Sequence, residues 1–244
     1  MAYVPLLIEE AEFDAAIKGL IALNFKGFNI TVPYKEKILP YLHTIDEQAK
    51  KMGAVNTVLI KDGQLQGYNT DGMGFLYALE QLHKYAVKGK KLCILGAGGT
   101  AKALAVALLE AGVQQLDIVN RSDARAKQLC ESLPDTNLGY YVSDDSAALD
   151  VLANADVVVN TTPMGMAPYE AVLPIHDVSW LSSKQVIVDV VYKPKETAFL
   201  TQAKAAGAVT LNGSAMLAAQ AMYAFKLFTG LDADFDTMYS EIYV

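Results

Sequence analysis

The fold is decided by the stretch Leu92-Cys93-Ile94-Leu95-Gly96-Ala97-Gly98-Gly99-Thr100-Ala101, in which a short apolar run leads into a glycine-rich turn. The run predicts a buried strand, and the apolar positions after the turn predict a helix. In this setting Gly96 permits the tight turn, Gly98 lets the backbone approach a pyrophosphate, and small Ala101 lets helix and strand pack closely. Free N–H groups at the start of the helix face the phosphate charge. The stretch from Gly96 to Ala101, with Ala97, Gly99 and Thr100, therefore predicts a dinucleotide-binding loop; a glycine turn without a ligand is the alternative.

The pattern of strand followed by helix continues on the carboxyl side of this loop. Apolar runs of the length expected for a parallel sheet covered on both faces occur at 92–95, 116–119, 138–142, 157–160 and 186–189. Such alternation predicts a Rossmann-like, doubly wound α/β domain over residues 86–214. The segment 84–91 before it is basic and polar, which favours a domain boundary there.

Residues 1–85 predict a separate α/β domain. We expect a strand over 3–8, a helix over 11–23, a strand over 28–31, a helix beginning at Pro33 and another near 44–52. The pair Asp62-Gly63 predicts the turn of a β-hairpin between 55–60 and 64–68. A helix over 215–228 is too apolar for a free surface, so residues 215–244 are expected to pack back onto the first domain.

Composition excludes several classes of protein. The chain has 244 residues, of which 52% are hydrophobic and 19% charged, as in an ordinary globular α/β protein, and its net charge of −7 lacks the basic face that nucleic-acid binding requires. It contains no apolar run long enough for a membrane span and no basic, apolar leader at its start, which predicts a cytoplasmic protein without a membrane partner. His43, His83 and His176 are scattered without metal-ligand spacing, so no metal is expected.

The choice of dinucleotide is predicted from the end of the second strand of the doubly wound domain. An NAD site is expected to carry an acidic residue there, but this chain has Asn120-Arg121-Ser122, with Arg125 one helical turn further. Asp117 lies at the start of that strand, roughly 10 Å from its end. Because guanidinium groups can fork onto a 2′-phosphate, we predict NADP. Solvated surface arginines are the alternative.

Polar groups at strand ends precede the glycine loop. They occur in Gly27-Phe28-Asn29-Ile30-Thr31-Val32-Pro33-Tyr34-Lys35, in Ala54-Val55-Asn56-Thr57 and in Gly67-Tyr68-Asn69-Thr70-Asp71-Gly72. Reduction of a carbonyl needs a proton donor beside its oxygen, and a lysine next to a carboxylate is a suitable pair. We therefore predict Lys35 as acid and base with Asp71 as its partner, and we predict that Thr31 and Asn56 bond substrate hydroxyls. A surface lysine and a helix-capping aspartate are the alternatives.

These three motifs, in this order and ahead of a glycine-rich loop, resemble the shikimate dehydrogenase family over essentially the whole chain. The resemblance implies an NADP-dependent oxidoreductase that interconverts 3-dehydroshikimate and shikimate through the Lys35 and Asp71 dyad. It further implies substrate contacts from Tyr192 and Gln220, for which structural roles are the alternative. It implies cofactor contacts near the nicotinamide from Thr161, Met164, Gly213 and Met216. For the loop 160–166, a structural loop with a proline stop is the alternative.

The resemblance begins at the family's second strand, which residues 2–7 resemble. No segment of this sequence matches the family's first strand–helix unit, whose Ser-x-Ser pair holds the substrate carboxylate. Three alternatives remain open at this point: a quinate or broad-specificity dehydrogenase, a cofactor-binding protein without turnover, and a shortened form of a longer chain. An edge strand uncovered by the missing unit would invite pairing, so a monomer or a homodimer is expected.

Overall fold

The computed structural model describes residues 2–31, 33–133 and 135–243 as two sheets with flanking helices. Met1 and Val244, the outermost residues of the predicted first domain, lie outside the described residues, as does Val32. The strands are β1 (Gly27–Asn29), β2 (Thr44–Ile45), β3 (Thr57–Lys61), β4 (Gln64–Tyr68), β5 (Lys91–Leu95), β6 (Gln115–Asn120), β7 (Leu138–Val142), β8 (Val157–Asn160), β9 (Val186–Asp189) and β10 (Val209–Leu211). The helices are α1 (Phe13–Ala22), α2 (Glu47–Met52), α3 (Asp71–Leu76), α4 (Gly99–Glu110), α5 (Asp123–Glu131), α6 (Ser146–Asn154), α7 (Ala198–Ala205), α8 (Ser214–Thr229) and α9 (Phe235–Ser240).

The first sheet has four strands in the order β1-β3-β4-β2. The predicted hairpin is confirmed: β3 and β4 pair antiparallel, and Asp62 and Gly63 adopt φ values of 52° and 73° between them. Two consecutive positive φ values are what a two-residue hairpin turn requires, and they suit an Asp-Gly pair. Strand β1 pairs only with β3 among the described residues, so it forms an edge of the sheet.

Two local predictions for the first domain were wrong, and the helix expected near 44–52 is present but begins later. Residues 3–8 form no strand, because the segment has no backbone partner among the described residues and side chains alone hold it: the Tyr34 hydroxyl donates to the Ile8 carbonyl. Residues 33–38 form successive turns in place of the helix expected from Pro33, and a 3-10 helix that contains Pro40 follows them. Thr44 belongs to β2, and α2 begins only at Glu47, after Asp46 has capped the backbone N–H of Gln48.

The second sheet confirms the predicted doubly wound architecture. Its six strands are all parallel in the order β10-β9-β8-β5-β6-β7. The sequence order reverses beside β5, and this switch point is where open α/β sheets bind ligands, at the carboxyl ends of their strands. Apolar side chains fill both faces, with α4 and α5 covering one and α6 and α7 the other. Strand β10 was not predicted.

Helix α8 returns from the second sheet to the first domain, as predicted, and packs against α3. Two glycines of α3 make the approach possible. A Cβ atom on Gly74 would lie 2.8 Å from the backbone nitrogen of Gln220 in α8, and one on Gly72 would lie 2.7 Å from the Cβ of Ala107 in α4. The helix α3 thus joins the first domain to both α8 and α4. In the part of the chain that the structure describes, no helix is long and apolar enough to cross a bilayer.

Candidate active site

A cavity of about 580 Å³ lies between the two sheets and collects the predicted substrate-pocket residues. All six of them line it: Thr31, Lys35, Asn56, Asp71, Tyr192 and Gln220. Three of the predicted cofactor residues line it as well, namely Thr100, Gly213 and Met216. One cavity therefore brings the proposed acid–base pair and part of the proposed cofactor surface together.

Lys35 and Asp71 form an ion pair inside this cavity. The Lys35 Nζ donates to the Asp71 Oδ2 over 2.6 Å, although the two residues are 36 positions apart in the chain. Their side chains are 16% and 8% exposed, so solvent and salt screen this pair less than a surface pair. Asp71 is the first residue of α3, where a negative charge is favoured by the helix dipole. A lysine held this way can donate a proton to, or accept one from, an oxygen in the cavity.

The side-chain amide of Asn56 is engaged at both ends. Its Nδ2 donates to the Asp71 Oδ1 at 2.8 Å and to the Thr70 Oγ1 at 3.0 Å. Its Oδ1 accepts from the Thr57 hydroxyl at 2.8 Å and from the Thr70 backbone N–H at 3.0 Å. Asn56 thus holds the second carboxylate oxygen of Asp71 in addition to lining the cavity. The substrate contact predicted for Asn56 stays a prediction.

Sequence reasoning missed Thr57 and Thr70, both of which are fully buried. A pattern was available: Asn and Thr recur in Ala54-Val55-Asn56-Thr57 and in Tyr68-Asn69-Thr70-Asp71, at the facing ends of a predicted hairpin. The register pairs Thr57 with Tyr68, so the polar residues of the two motifs meet. Buried polar side chains need hydrogen-bond partners, and here Asn56, Thr57 and Thr70 supply them to one another.

The remaining predicted substrate contacts come from three places: the end of β1, the segment after β9, and α8. Tyr192 follows β9 and is 42% exposed at the cavity, and Thr31 lies just beyond the end of β1. Gln220 projects from α8, with its Oε1 3.4 Å from the Thr70 Oγ1 and its Nε2 donating to the Leu217 carbonyl. These side chains therefore surround the dyad from three different elements.

The glycine-rich loop has the geometry that a pyrophosphate requires. Gly96 has φ +112°, and a Cβ atom there would lie 2.7 Å from the Thr161 Oγ1, so only glycine fits. Gly98 is the N-cap of α4; a Cβ there meets no atom within 4 Å, and no side chain of the described residues caps the helix. Ala101 is fully buried against the sheet. Open space in front of uncapped N–H groups fits a phosphate group.

Arg121 and Arg125 are exposed beside the carboxyl end of β6, and neither makes an ion pair with any described residue. Asn120 ends the strand and donates to the Ser122 carbonyl. Asp117 is buried within the strand, where its carboxylate accepts from the Gln115 amide and desolvation raises its pKa. The two arginines can therefore bind an anion at the end of the strand. Asp117 lies within the strand, and its carboxylate bonds Gln115.

The loop after β8 lies at the same edge of the sheet. Thr161 donates from its hydroxyl to the Leu95 carbonyl at the end of β5, and the Asn160 Nδ2 donates to the Met164 carbonyl. Asn160 also donates to the Oδ1 of Asp189, at the end of the neighbouring strand β9. Among the described residues no group of three or more His, Cys, Asp or Glu side chains is arranged to hold a metal ion.

The ionisation of Asp189, which bonds this loop, makes the stability of the folded protein depend on pH. It is fully buried, and desolvation raises its pKa from 3.8 to about 6 although Asn160, Thr197 and Val191 all donate to it. Since the folded pKa lies above the unfolded one, its stabilising contribution is complete below about pH 4 and is lost as the pH rises through 6.

We expect Asp189→Asn to remove this pH dependence. An asparagine keeps an acceptor oxygen for Asn160 and Val191, can donate from its amide nitrogen to the Thr197 hydroxyl oxygen, and carries no charge. The stability of the variant relative to wild type should therefore rise between pH 4 and 6, by an amount on the order of 3 kcal/mol, and then level off. Urea unfolding at pH values from 4 to 8 measures it. Parallel curves for the two proteins would contradict the role of Asp189.

The fold and the site together define a class: two-domain α/β dehydrogenases, in which a dinucleotide-binding sheet faces an acid–base pair across a cleft. Family models match residues 1–58 (shikimate dehydrogenase substrate binding domain), 78–191 (shikimate / quinate 5-dehydrogenase) and 213–243 (shikimate 5′-dehydrogenase C-terminal domain). The chain belongs to the shikimate dehydrogenase family.

Individual relatives agree with this assignment. The chain is 40% identical over 238 residues to the shikimate dehydrogenase (NADP(+)) of Methanosphaera stadtmanae, covering 96% of this chain and 83% of that protein. The crystal structure of shikimate 5-dehydrogenase from Listeria monocytogenes, in complex with shikimate and NAD, superposes with a TM-score of 0.88 at 32% identity, over 98% and 84% of the two chains. Quinate dehydrogenase from Corynebacterium glutamicum, in complex with NAD, gives 0.84 at 39% identity, over 93% and 81%.

Proposed function

We propose that this protein is an NADP-dependent oxidoreductase that interconverts 3-dehydroshikimate and shikimate, a step in aromatic amino acid biosynthesis. The observation that carries the proposal is the Lys35–Asp71 ion pair of 2.6 Å in the cavity that Thr100 of the glycine loop and Met216 also line. An acid–base group and a dinucleotide loop at one cavity are the two parts that a carbonyl reduction requires.

In this proposal Lys35 and Asp71 move and hold the proton. NADP(H) supplies or accepts the hydride. In the reducing direction the Lys35 ammonium donates a proton to the substrate oxygen as that oxygen becomes a hydroxyl, and in the oxidising direction neutral Lys35 takes the proton back. Asp71, held by Asn56, keeps the Lys35 Nζ directed at the reacting oxygen. Thr31 and Asn56 bond substrate hydroxyls in this proposal, and Tyr192 and Gln220 make the remaining substrate contacts, since all four residues line the cavity.

The cofactor is bound along the carboxyl edge of the second sheet. The backbone from Gly96 through Ala97, Gly98, Gly99 and Thr100 to Ala101 holds the pyrophosphate, and Thr161, Met164, Gly213 and Met216 line the nicotinamide side. Asn120, Arg121 and Arg125 receive the adenosine end with its 2′-phosphate, which favours NADP over NAD. Two observations on the described residues support these assignments: no side chain caps the start of α4, and neither arginine forms an ion pair.

We expect Arg121→Ala to raise the Michaelis constant for NADP by roughly 10- to 100-fold and to leave that for NAD within about twofold, because only NADP carries the phosphate that the guanidinium bonds. Steady-state kinetics with both dinucleotides measure this ratio. Lys127→Ala is the matched control, since Lys127 is an exposed cation on α5, the helix that follows Arg121, and pairs with Glu131. Equal effects of Arg121→Ala on both dinucleotides would contradict the assignment.

The first test of the function is NADPH formation from NADP with shikimate, followed by absorbance, with quinate in parallel. Turnover with shikimate supports the proposal. Faster turnover with quinate favours the alternative of a quinate or broad-specificity dehydrogenase. The 39% identity to a quinate dehydrogenase supports this alternative. No turnover with either acid, with NADP binding intact by calorimetry, would favour a cofactor-binding protein without catalysis.

We further propose residues 1–85 with 215–244 as the substrate domain and residues 86–214 as the NADP domain of a cytoplasmic protein. The protein is a monomer or a homodimer in this proposal, and β1 is the edge along which a second copy would add a strand. Sedimentation velocity over a range of concentrations distinguishes the two states.

A further inference from the structure

Two polar side chains, Asn29 at the wall of the cavity and Thr57 outside its lining, connect two strands to the dyad. Asn29 on the edge strand β1 lies directly opposite Thr57 on β3. The Asn29 Nδ2 donates to the Thr57 Oγ1 at 2.9 Å and to the Asn56 carbonyl at 3.2 Å. Both amide hydrogens of Asn29 are therefore directed toward the segment that carries Asn56.

The direction of the next hydrogen bond follows from donor and acceptor chemistry. An amide nitrogen only donates, so the Thr57 oxygen accepts from Asn29, and its own proton is left for the Asn56 Oδ1 at 2.8 Å. Thr57 is 0% exposed, so water has no access to replace either partner. The hydroxyl is thus oriented toward a single acceptor.

The Asn56 amide is planar, so holding its oxygen directs its nitrogen. The Thr57 hydroxyl and the Thr70 backbone N–H both hold the Oδ1, while the Nδ2 at the other end donates to the Asp71 Oδ1 at 2.8 Å. Among the described residues, the Thr57 hydroxyl is the one partner of this amide that lies outside residues 70 and 71. Without it, the amide bonds only to Thr70 and Asp71 and can turn together with that segment. The other Asp71 oxygen bonds Lys35, so a pivot of Asn56 changes how the carboxylate presents itself to the lysine.

We propose that Thr57, supported by Asn29, is a positioning residue that fixes the Asn56 amide and, through it, the orientation of the Asp71 carboxylate toward Lys35. This inference rests on the proposed function of the dyad. Thr57 does not line the cavity, so its effect reaches the reaction only through Asn56.

The test compares Thr57→Val, which removes the hydroxyl at constant shape, with Thr57→Ser, which keeps it. We expect Thr57→Val to lower kcat roughly tenfold, with the Michaelis constant for NADP within about twofold, and Thr57→Ser to stay within about twofold of wild type. Thr44→Val is the matched control, since Thr44 is exposed on β2 at the opposite edge of the same sheet. Thermal unfolding of all variants ensures that rates are compared for folded protein.

Two results would overturn the proposal: equal kcat values for Thr57→Val and Thr44→Val, or a crystal structure of Thr57→Val in which the Asn56 Nδ2 remains 2.8 Å from the Asp71 Oδ1. A rotated Asn56 amide supports it. If wild-type protein turns over neither acid, the proposed function fails, and the crystal structure of Thr57→Val alone then decides the positioning role.

Discussion

Lys35→Ala is expected to lower kcat for NADPH formation with shikimate by about 10³-fold or more. General acid–base catalysis contributes about 10² to 10⁴ in rate, and no other lysine or arginine among the described residues lines the cavity in which Lys35 lies. Asp71→Asn keeps the shape of the partner but removes its charge and is expected to reduce kcat in the same direction. Single-turnover and steady-state absorbance measurements give both values.

Lys37→Ala is the control for this prediction. Lys37 lies two positions further on, is 44% exposed at its side chain and pairs with Glu10 on the surface, so its removal is expected to leave kcat within about twofold of wild type. Removing Lys35 leaves Asp71 without its cation, so circular dichroism and NADP binding must first establish that the variant is folded. Turnover of folded Lys35→Ala within tenfold of wild type would exclude Lys35 as the acid and base.

Of the glycine-to-alanine substitutions at the site, Gly213→Ala is expected to lower the stability of the protein most. A Cβ atom there would lie 2.0 Å from the Val190 carbonyl oxygen and 2.5 Å from its carbon, both of them backbone atoms. The Gly213 N–H donates to the Val191 carbonyl. This hydrogen bond holds Gly213 beside Val190, so an added Cβ atom cannot easily move away from the clash. We expect a loss of at least the 1 to 3 kcal/mol typical of overpacking, measured by urea unfolding.

The same substitution is expected to weaken NADP binding, because Gly213 is the N-cap of α8 and Met216 lies in the first turn. Gly19→Ala is the matched control: Gly19 lies inside α1, and a Cβ there meets no atom within 4 Å. Alanine is a better helix former than glycine, so this control is expected to gain about 0.5 to 1 kcal/mol. If both variants unfolded at the same urea concentration, the close approach at Val190 would not matter.

Local patterns predicted much of the fold because their physical causes are local. The Asp62-Gly63 turn required positive φ at two adjacent residues, and the glycine loop required one residue, Gly96, that tolerates φ +112°. Neither needs information from distant parts of the chain. The strand expected over 3–8 failed for the opposite reason: an apolar run supplies propensity, but a strand exists only where another backbone supplies hydrogen bonds.

In the candidate site, too, the sequence predicted the local features and not the distances between residues. The motifs supplied the types of residue, and the resemblance supplied their roles, but the 36 residues between Lys35 and Asp71 contain no information about the distance between them. Sequence reasoning assigned Asn56 to the substrate and did not see that both ends of its amide are engaged.

The sequence by itself determined the doubly wound domain, the hairpin, the dinucleotide loop and the identity of the residues with acid–base chemistry, since these depend on periodicity, on allowed φ values and on side-chain functional groups. Only the tertiary structure decided that Lys35 meets Asp71, that Gln220 of α8 reaches the same cavity, and that Thr57 lies behind Asn56. The first two of these contacts join segments that are distant in the chain. Gln220 reaches the cavity because Gly74 allows α8 to pack on α3 at backbone contact.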